Sequence, residues 1–384
     1  MIKRELQSTI IDMAKKMPII SITGPRQSGK TTLAKVCFPD YDYYNLENPS
    51  ILERAKMDPQ SFLTRHSKGI IIDEVQLFPE LFSYIQVISD ENKKDGEFIL
   101  TGSQNFLLLQ KIAQSLAGRV YITHLLPLSI SELKNTNYWQ EDSNHYLFNG
   151  FYPRIYEKEI NPTFYFPSYI QTYVERDVRQ IVNISNTLIF QKFMKIVAGR
   201  VGQLINFNNI SNELGVDQKT VKSWFSILEA SFIVFFLQPH HKNFNKRIVK
   251  TPKLYFYDTG LASNLLGIQE EDSIDLHWAK GALFENLIIL EMLKSNLNKG
   301  LQPKLYFWRD NTGNEIDCIE ERGEDIYSYE IKSSKTIQKD FFKGLNYYNK
   351  ISDSKNKASY LVYGGNDSYP LSEYSVLSWK DLKV

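Results

Sequence analysis

Short apolar runs alternate with amphipathic stretches through the first third of the chain. Ile19–Thr23, Gly69–Asp73, Glu97–Thr101 and Val120–Leu125 are nearly continuous in apolar character. Runs of that length predict strands buried on both faces, hence a parallel sheet covered by helices. From about Ser168 to Leu237 the spacing changes to three and four residues, through Ile170, Tyr173, Val174, Ile181, Phe190, Phe193 and Ile196, which predicts helices. After Gly281 come a long helix, GALFENLIILEMLKSNL, a strand pair about the turn DNTGN, and the strands IYSYEIKSS and ASYLVYG. The fold class is α/β. The pattern divides the 384 residues into segments 1–150, 151–275 and 276–384, with no internal repeat or Gly/Ser linker to sharpen the boundaries.

Composition narrows the function classes. At 42% hydrophobic and 23% charged residues, a chain of this length can bury several cores, so disorder is excluded as a whole-chain description. The formal charge of +1 excludes a global electrostatic footprint for nucleic acid or anionic membrane and leaves only a local basic patch. Two cysteines, Cys37 and Cys318, make neither a disulfide framework nor a zinc site. The start, MIKRELQSTIIDMAKK, has the pattern of an amphipathic helix rather than a signal peptide, and no apolar stretch approaches the ~18 residues of a membrane span. A cytoplasmic protein with no membrane contact is the expectation. His66, His124, His145, His240, His241 and His277 form no metal spacing with each other or with cysteine, and read as core or surface residues.

The sharpest chemistry lies at Gly24-Pro25-Arg26-Gln27-Ser28-Gly29-Lys30-Thr31-Thr32, which follows the run PIISIT and precedes the helical TLAKVCF. It satisfies GxxxxGK[ST] in a strand, loop and helix context. The glycines let backbone N–H groups turn toward phosphates, and the helix N-terminus adds positive potential at the same place. Lys30 is placed for the β/γ-phosphates, and Thr31 for Mg²⁺. Asp73 and Glu74 end a buried strand on the edge where such sheets bind ligands; Asp73 suits the Mg²⁺ site, and Glu74 can orient an attacking water. Ser103, after the strand ending at Thr101, is either a sensor of the γ-phosphate or, like Asn105, a helix N-cap. Arg119 is either an arginine finger for a neighbouring subunit or a structural ion pair.

Together with LAGRV, LLPLSISEL, GFYPRIYE, YIQTYVERDVRQI, VGQLIN and KRIVKTPKLYFYDTGLA, these motifs resemble the AAA-type ATPases of bacteria and archaea that carry a C-terminal domain of unassigned function. The likeness covers nearly the whole chain. It implies an AAA+ P-loop core binding ATP and Mg²⁺, a winged-helix-like segment and a restriction-endonuclease-like tail, with oligomers possible. The preference for ATP over GTP rests on that resemblance.

Two further patterns bear on partners. Ile210 to Trp224 reads as helix, turn, helix: Gly215 closes the first helix and Asp217 caps the second. Lys219 and Lys222 lie near the start of the second helix, and Lys242, Lys246, Arg247, Lys250 and Lys253 follow without an acid, like a basic wing. Double-stranded DNA and a protein surface are both candidate partners. In the tail, Glu315 and Asp317 share one strand face, and Asp317 followed by Glu330-Ile331-Lys332 resembles the D…ExK signature of restriction-endonuclease-like folds. Asp317 and Glu330 would bind Mg²⁺, Lys332 would steady the attacking water, and Glu285 would contribute from the helix, although Glu291 is similarly placed. An amphipathic sheet with a solvated acidic face is the alternative. Asp258-Thr259-Gly260 reads as a strand end followed by a helix start.

Overall fold

In the computed structural model the described residues are 1–103, 116–173, 187–240, 249–352 and 356–382. They form two compact units: residues 1–128 with 230–232 and 296–301, and residues 129–229 with 233–295 and 302–384.

The first unit is built on five strands, β1 (Ile19–Thr23), β2 (Asp42–Asn45), β3 (Ile70–Asp73), β4 (Phe98–Gly102) and β5 (Val120–His124), in the order β2-β3-β4-β1-β5. All neighbours pair in parallel. Ile70 and Ile72 pack into one core with Phe98 and Leu100, while Ile71 packs on the opposite side with Ile20, Ile22 and Ile99. Alternating side chains of one run therefore feed two cores, which is why the run is apolar throughout. Strand ends differ from expectation by one residue at Ile70, Phe98, Gly102 and His124. The edge strand β2 carries Asp42-Tyr-Tyr-Asn45 and is only partly buried, so it has no apolar run to announce it. Helix α1 (Leu6–Met13) precedes β1 and helix α2 (Lys30–Cys37) follows it.

The second unit contains α3 (Phe207–Leu214) and α4 (Gln218–Ala230). Gly215 is left-handed at φ +68°, and the Asp217 carboxylate accepts the Thr220 N–H at 2.8 Å. The turn is thus made by the residues that suggested it. The strands are β6 (Val234–Pro239), β7 (Lys253–Phe256), β8 (Leu305–Arg309), β9 (Glu315–Arg322), β10 (Asp325–Lys332), β11 (Asn356–Tyr363), β12 (Tyr369–Leu371) and β13 (Tyr374–Ser378). They lie in one mixed sheet ordered β12-β13-β11-β10-β9-β8-β6-β7. The β6–β7 hairpin joins it through parallel pairing of β6 with β8. Helices α5 (Thr259–Leu265) and α6 (Lys280–Asn298) follow the hairpin. Among the described residues no helix is long and apolar enough to cross a membrane.

Candidate functional site

Strand β1 delivers the phosphate loop and β3 delivers the acids, with β4 between them. At Gly24, φ is +149° and a Cβ would fall 2.1 Å from the Leu125 carbonyl oxygen, so no larger residue fits where the loop leaves the strand. Lys30 is buried, and its ammonium donates to the carbonyls of Gly24 at 3.0 Å and Pro25 at 2.8 Å. The cation is therefore held over the loop it serves. The Ser28 hydroxyl is buried in the loop without a hydrogen-bond partner. Arg26 reaches Glu47 at 3.7 Å, while Gln27 at φ +61° and Thr32 are exposed.

The acids occupy different environments. The buried Asp73 carboxylate accepts from the Thr31 hydroxyl at 2.8 Å, the Tyr43 phenol at 2.8 Å and the Thr101 hydroxyl. Burial, followed by the bond to Asp73, raises the Tyr43 phenol above its usual range, so it remains a donor. Glu74 follows at φ +54°, a left-handed conformation that is costly for a side chain of this size. It turns the carboxylate away from the strand, where it accepts from Ser103 at 3.0 Å and from Gln76. The structure thus brings Lys30, Thr31 and Asp73 to one place and joins Glu74 to Ser103. Thr31 and Asp73 form an oxygen donor pair suited to a hard cation such as Mg²⁺, and the unpartnered Ser28 hydroxyl suits a phosphate oxygen.

Arg119 makes a two-pronged pair with Asp90, 2.5 Å from Nε and 2.9 Å from Nη2, on an exposed surface. The ion pair is formed within this chain. Asn105 lies outside the described residues.

Two residues near the loop were not legible as site residues. Arg4, ahead of α1, is buried and donates to the Ser28 carbonyl at 2.7 Å and the Leu126 carbonyl at 2.6 Å. The His124 ring nitrogen lies 2.6 Å from the Thr23 hydroxyl, and burial lowers its pKa, leaving the ring neutral. Neither makes a local motif, because each acts through main chain or hydroxyls far away in sequence. An Arg4→Ala chain is expected to lose about 2–4 kcal/mol, the cost of stranding buried carbonyls bonded to a charge. Its nucleotide affinity should fall as well. Thermal melting and nucleotide titration check this, and Arg4→Lys should restore only part, since an ammonium lacks the guanidinium fork.

The tail places Glu285, Asp317, Glu330 and Lys332 in one neighbourhood, and Glu291 elsewhere. Glu285 accepts from Lys253 at 2.9 Å and from the Tyr255 hydroxyl at 2.5 Å. Glu291 instead accepts the Ile130 N–H at 2.7 Å and pairs with Lys294. Lys332 donates to Glu330 at 2.6 Å and sits 3.6 Å from Asp317, which also accepts the Ile331 N–H at 2.8 Å. Burial pushes the Glu330 carboxyl up to about 8. Lys253, expected on a basic wing, is only 3% exposed and bridges Glu285 and Glu315. The physical cause is enclosure: every residue of β7 is buried, so its lysine leaves water and must be paired to avoid a stranded charge. Lys219, Lys222 and Lys250 are exposed, whereas Lys242, Lys246 and Arg247 lie outside the described residues.

Comparison with known proteins adds to the geometry. Residues 16–134 match the AAA domain family, residues 140–272 a domain of unknown function (DUF8612), and residues 280–382 a domain of unknown function (DUF4143). An uncharacterized protein of Mycobacterium tuberculosis is 28% identical over 378 residues, 97% of this chain and 82% of that protein. One of Methanocaldococcus jannaschii is 22% identical over 326 residues, 76% of this chain and 69% of that protein. The structure of the Walker-type ATPase of Pyrococcus abyssi aligns with a TM-score of 0.44 at 14% identity, covering 69% of this chain and 96% of that one. Residues 16–134, which carry the phosphate loop, Asp73 and Glu74, are thus similar to the AAA domain family.

Proposed function

We propose that the chain is an Mg²⁺-dependent ATPase acting as a switch on double-stranded DNA or a protein partner. The observation that carries this reading is the convergence of a buried lysine on the loop, the Thr31–Asp73 pair and the Glu74–Ser103 pair at the ends of three parallel strands. The match to the AAA domain family supports it. In this reading the loop amides and the α2 N-terminus hold phosphate oxygens, and Lys30 exchanges its bonds to Gly24 and Pro25 for the β/γ-phosphates. Thr31 and Asp73 would hold Mg²⁺, whose chemistry is to neutralise phosphate charge. Glu74 orients water and accepts its proton, and Ser103 keeps that carboxylate in position. Arg119 serves as a finger only in an oligomer that releases it from Asp90.

Segments 1–150, 151–275 and 276–384 divide the work: nucleotide turnover, a helix-turn-helix reader, and a tail. Two of the three family matches fall within these segments, and the third, 140–272, begins eleven residues before the middle one, which supports a three-part order but not the boundary at 150. The exposed Lys219 and Lys222 at the start of α4 support a polyanionic partner. A cytoplasmic location fits the sequence pattern. A second reading, an ATP-regulated docking protein whose nuclease-like tail is inactive, is favoured by the lysines already seated on the tail's carboxylates.

Calorimetry of the full chain with ATP, with and without Mg²⁺, tests the proposal. Micromolar affinity that requires Mg²⁺ and falls at least tenfold in Lys30→Ala is expected. A folded wild type with no Mg²⁺-dependent affinity would overturn it.

A further inference from the structure

Four carboxylates and three cations meet where β7, β8, β9, β10 and α6 converge. Lys253 pairs with Glu285 and Glu315, Arg309 with Glu315 at 3.2 Å, and Lys332 with Glu330 and Asp317. These pairs test whether the acidic motif fits a divalent metal. A hard cation takes about six oxygens, several of them water, and needs negative charge from its carboxylates that no other cation has neutralised. Here the Asp317 oxygen nearest Lys332 is taken by the Ile331 N–H, one Glu330 oxygen by Lys332, and one Glu285 oxygen by both Lys253 and Tyr255. Among the described residues no three His, Cys, Asp or Glu side chains gather as a metal-holding group. Asp317, Glu330 and Glu285 each keep the other oxygen, but the four carboxylates are already set against Lys253, Arg309 and Lys332, which leaves too little net charge to hold a divalent ion.

One atom records what the cluster could otherwise do. The second oxygen of Glu330, a residue 9% exposed, is buried without a hydrogen-bond partner, and a Cβ at Gly344 would come within 3.0 Å of it. A buried carboxylate oxygen left without a donor is a ligand position that the internal cations do not fill. Lys332 belongs to the acidic motif itself. Lys253 does not: it comes from the hairpin that follows the helix-turn-helix, and it is buried against Glu285 of α6 and Glu315 of β9.

We propose that Lys253 is a resident cation that closes the acidic cluster of the tail to divalent metal, an internal lock joining the β6–β7 hairpin to α6 and β9. The lock explains why a short strand at the sheet edge carries a buried lysine. It also makes the hairpin's position the condition for metal entry: with Lys253 seated, Glu285 pairs with an ammonium, and with it withdrawn Lys332 is left as the one cation beside Asp317 and Glu330 among these residues. This inference does not depend on the ATPase reading.

Mn²⁺ binding, followed by electron paramagnetic resonance on the nucleotide-free full chain, tests it. Wild type and Asp317→Asn are expected to bind Mn²⁺ equally weakly, whereas Lys253→Met should gain at least tenfold in affinity, and Lys253→Met/Asp317→Asn should lose that gain. A folded Lys253→Met chain without an Asp317-dependent site overturns the proposal, and so does a wild type whose Mn²⁺ affinity drops on Asp317→Asn. Should Lys253→Met fail to fold, Lys253→Gln takes its place under the same criteria, and a wild type whose binding drops on Asp317→Asn still removes the lock.

Discussion

A Glu74→Gln chain is expected to bind ATP within a few-fold of wild type and to hydrolyse it roughly 10²–10⁴ times more slowly, the usual contribution of a positioned general base. The separation follows from the geometry. Glutamine keeps an oxygen to accept from Ser103 and adds no bulk, so the left-handed turn at φ +54° and the contacts of the phosphate loop should persist. What disappears is the negative charge to which the proposed function gives the task of orienting water and taking up its proton. Asp73 cannot substitute, because its oxygens already serve Thr31, Tyr43 and Thr101. Steady-state turnover measured beside equilibrium nucleotide binding checks the split; equal loss of both would place Glu74 in binding rather than in catalysis.

Asp258→Ala is expected to destabilise the second unit by about 2–5 kcal/mol, the penalty for leaving two buried backbone donors unpaired. Asp258 is 1% exposed and accepts the Phe151 N–H at 2.7 Å and the Leu261 N–H at 2.9 Å. It caps α5 and ties that helix to the GFYPR segment. The fit is tight: a Cβ at Gly150, itself at φ +65°, would lie 2.2 Å from the Asp258 carboxylate. For a unit of this size the loss corresponds to roughly 5–15 °C in Tm. The pH dependence has a definite sign. Burial pushes the Asp258 carboxyl from its ordinary 3.8 up to about 6, against the pull of its backbone donors and Lys294. Between those values the folded chain holds the proton more tightly than the unfolded one, so this group's contribution to stability falls as pH rises through that window. Asp258→Asn, which keeps one acceptor oxygen and does not ionise, should flatten that part of the profile. Melting curves from pH 4 to 7 on both variants measure it.

The phosphate site was legible because its requirements are local. A loop that wraps phosphate must have glycine where the backbone turns, a lysine at the helix start and a buried strand before it, and all three fall within a dozen consecutive residues. Asp73 and Glu74 were legible for a related reason, since acids at the end of an apolar run have only the ligand edge of a sheet to occupy. The strand β2 was not, because an edge strand with Asp42 and Asn45 at its ends has no apolar face on each side to fill. Arg4 was not, because its partners are carbonyls of Ser28 and Leu126, whose positions depend on how the loop and the end of β5 are packed.

In the tail the division is sharper. Glu285 and Glu291 share one helix with similar neighbours, and only folding separates them, one to Lys253 and Tyr255 and the other to Lys294 and the Ile130 N–H. Lys253 reads as a wing residue in a run of basic positions, and becomes a buried partner of acids 32 and 62 positions away. The sequence by itself determined the parallel α/β core, the phosphate loop and the acids Asp73, which ends β3, and Glu74, which follows it, because short-range sterics and burial dictate them. Tertiary structure alone decided which charges neutralise which, because a buried ion pair is chosen by the distance between side chains in the folded chain, and separation along the chain does not constrain it.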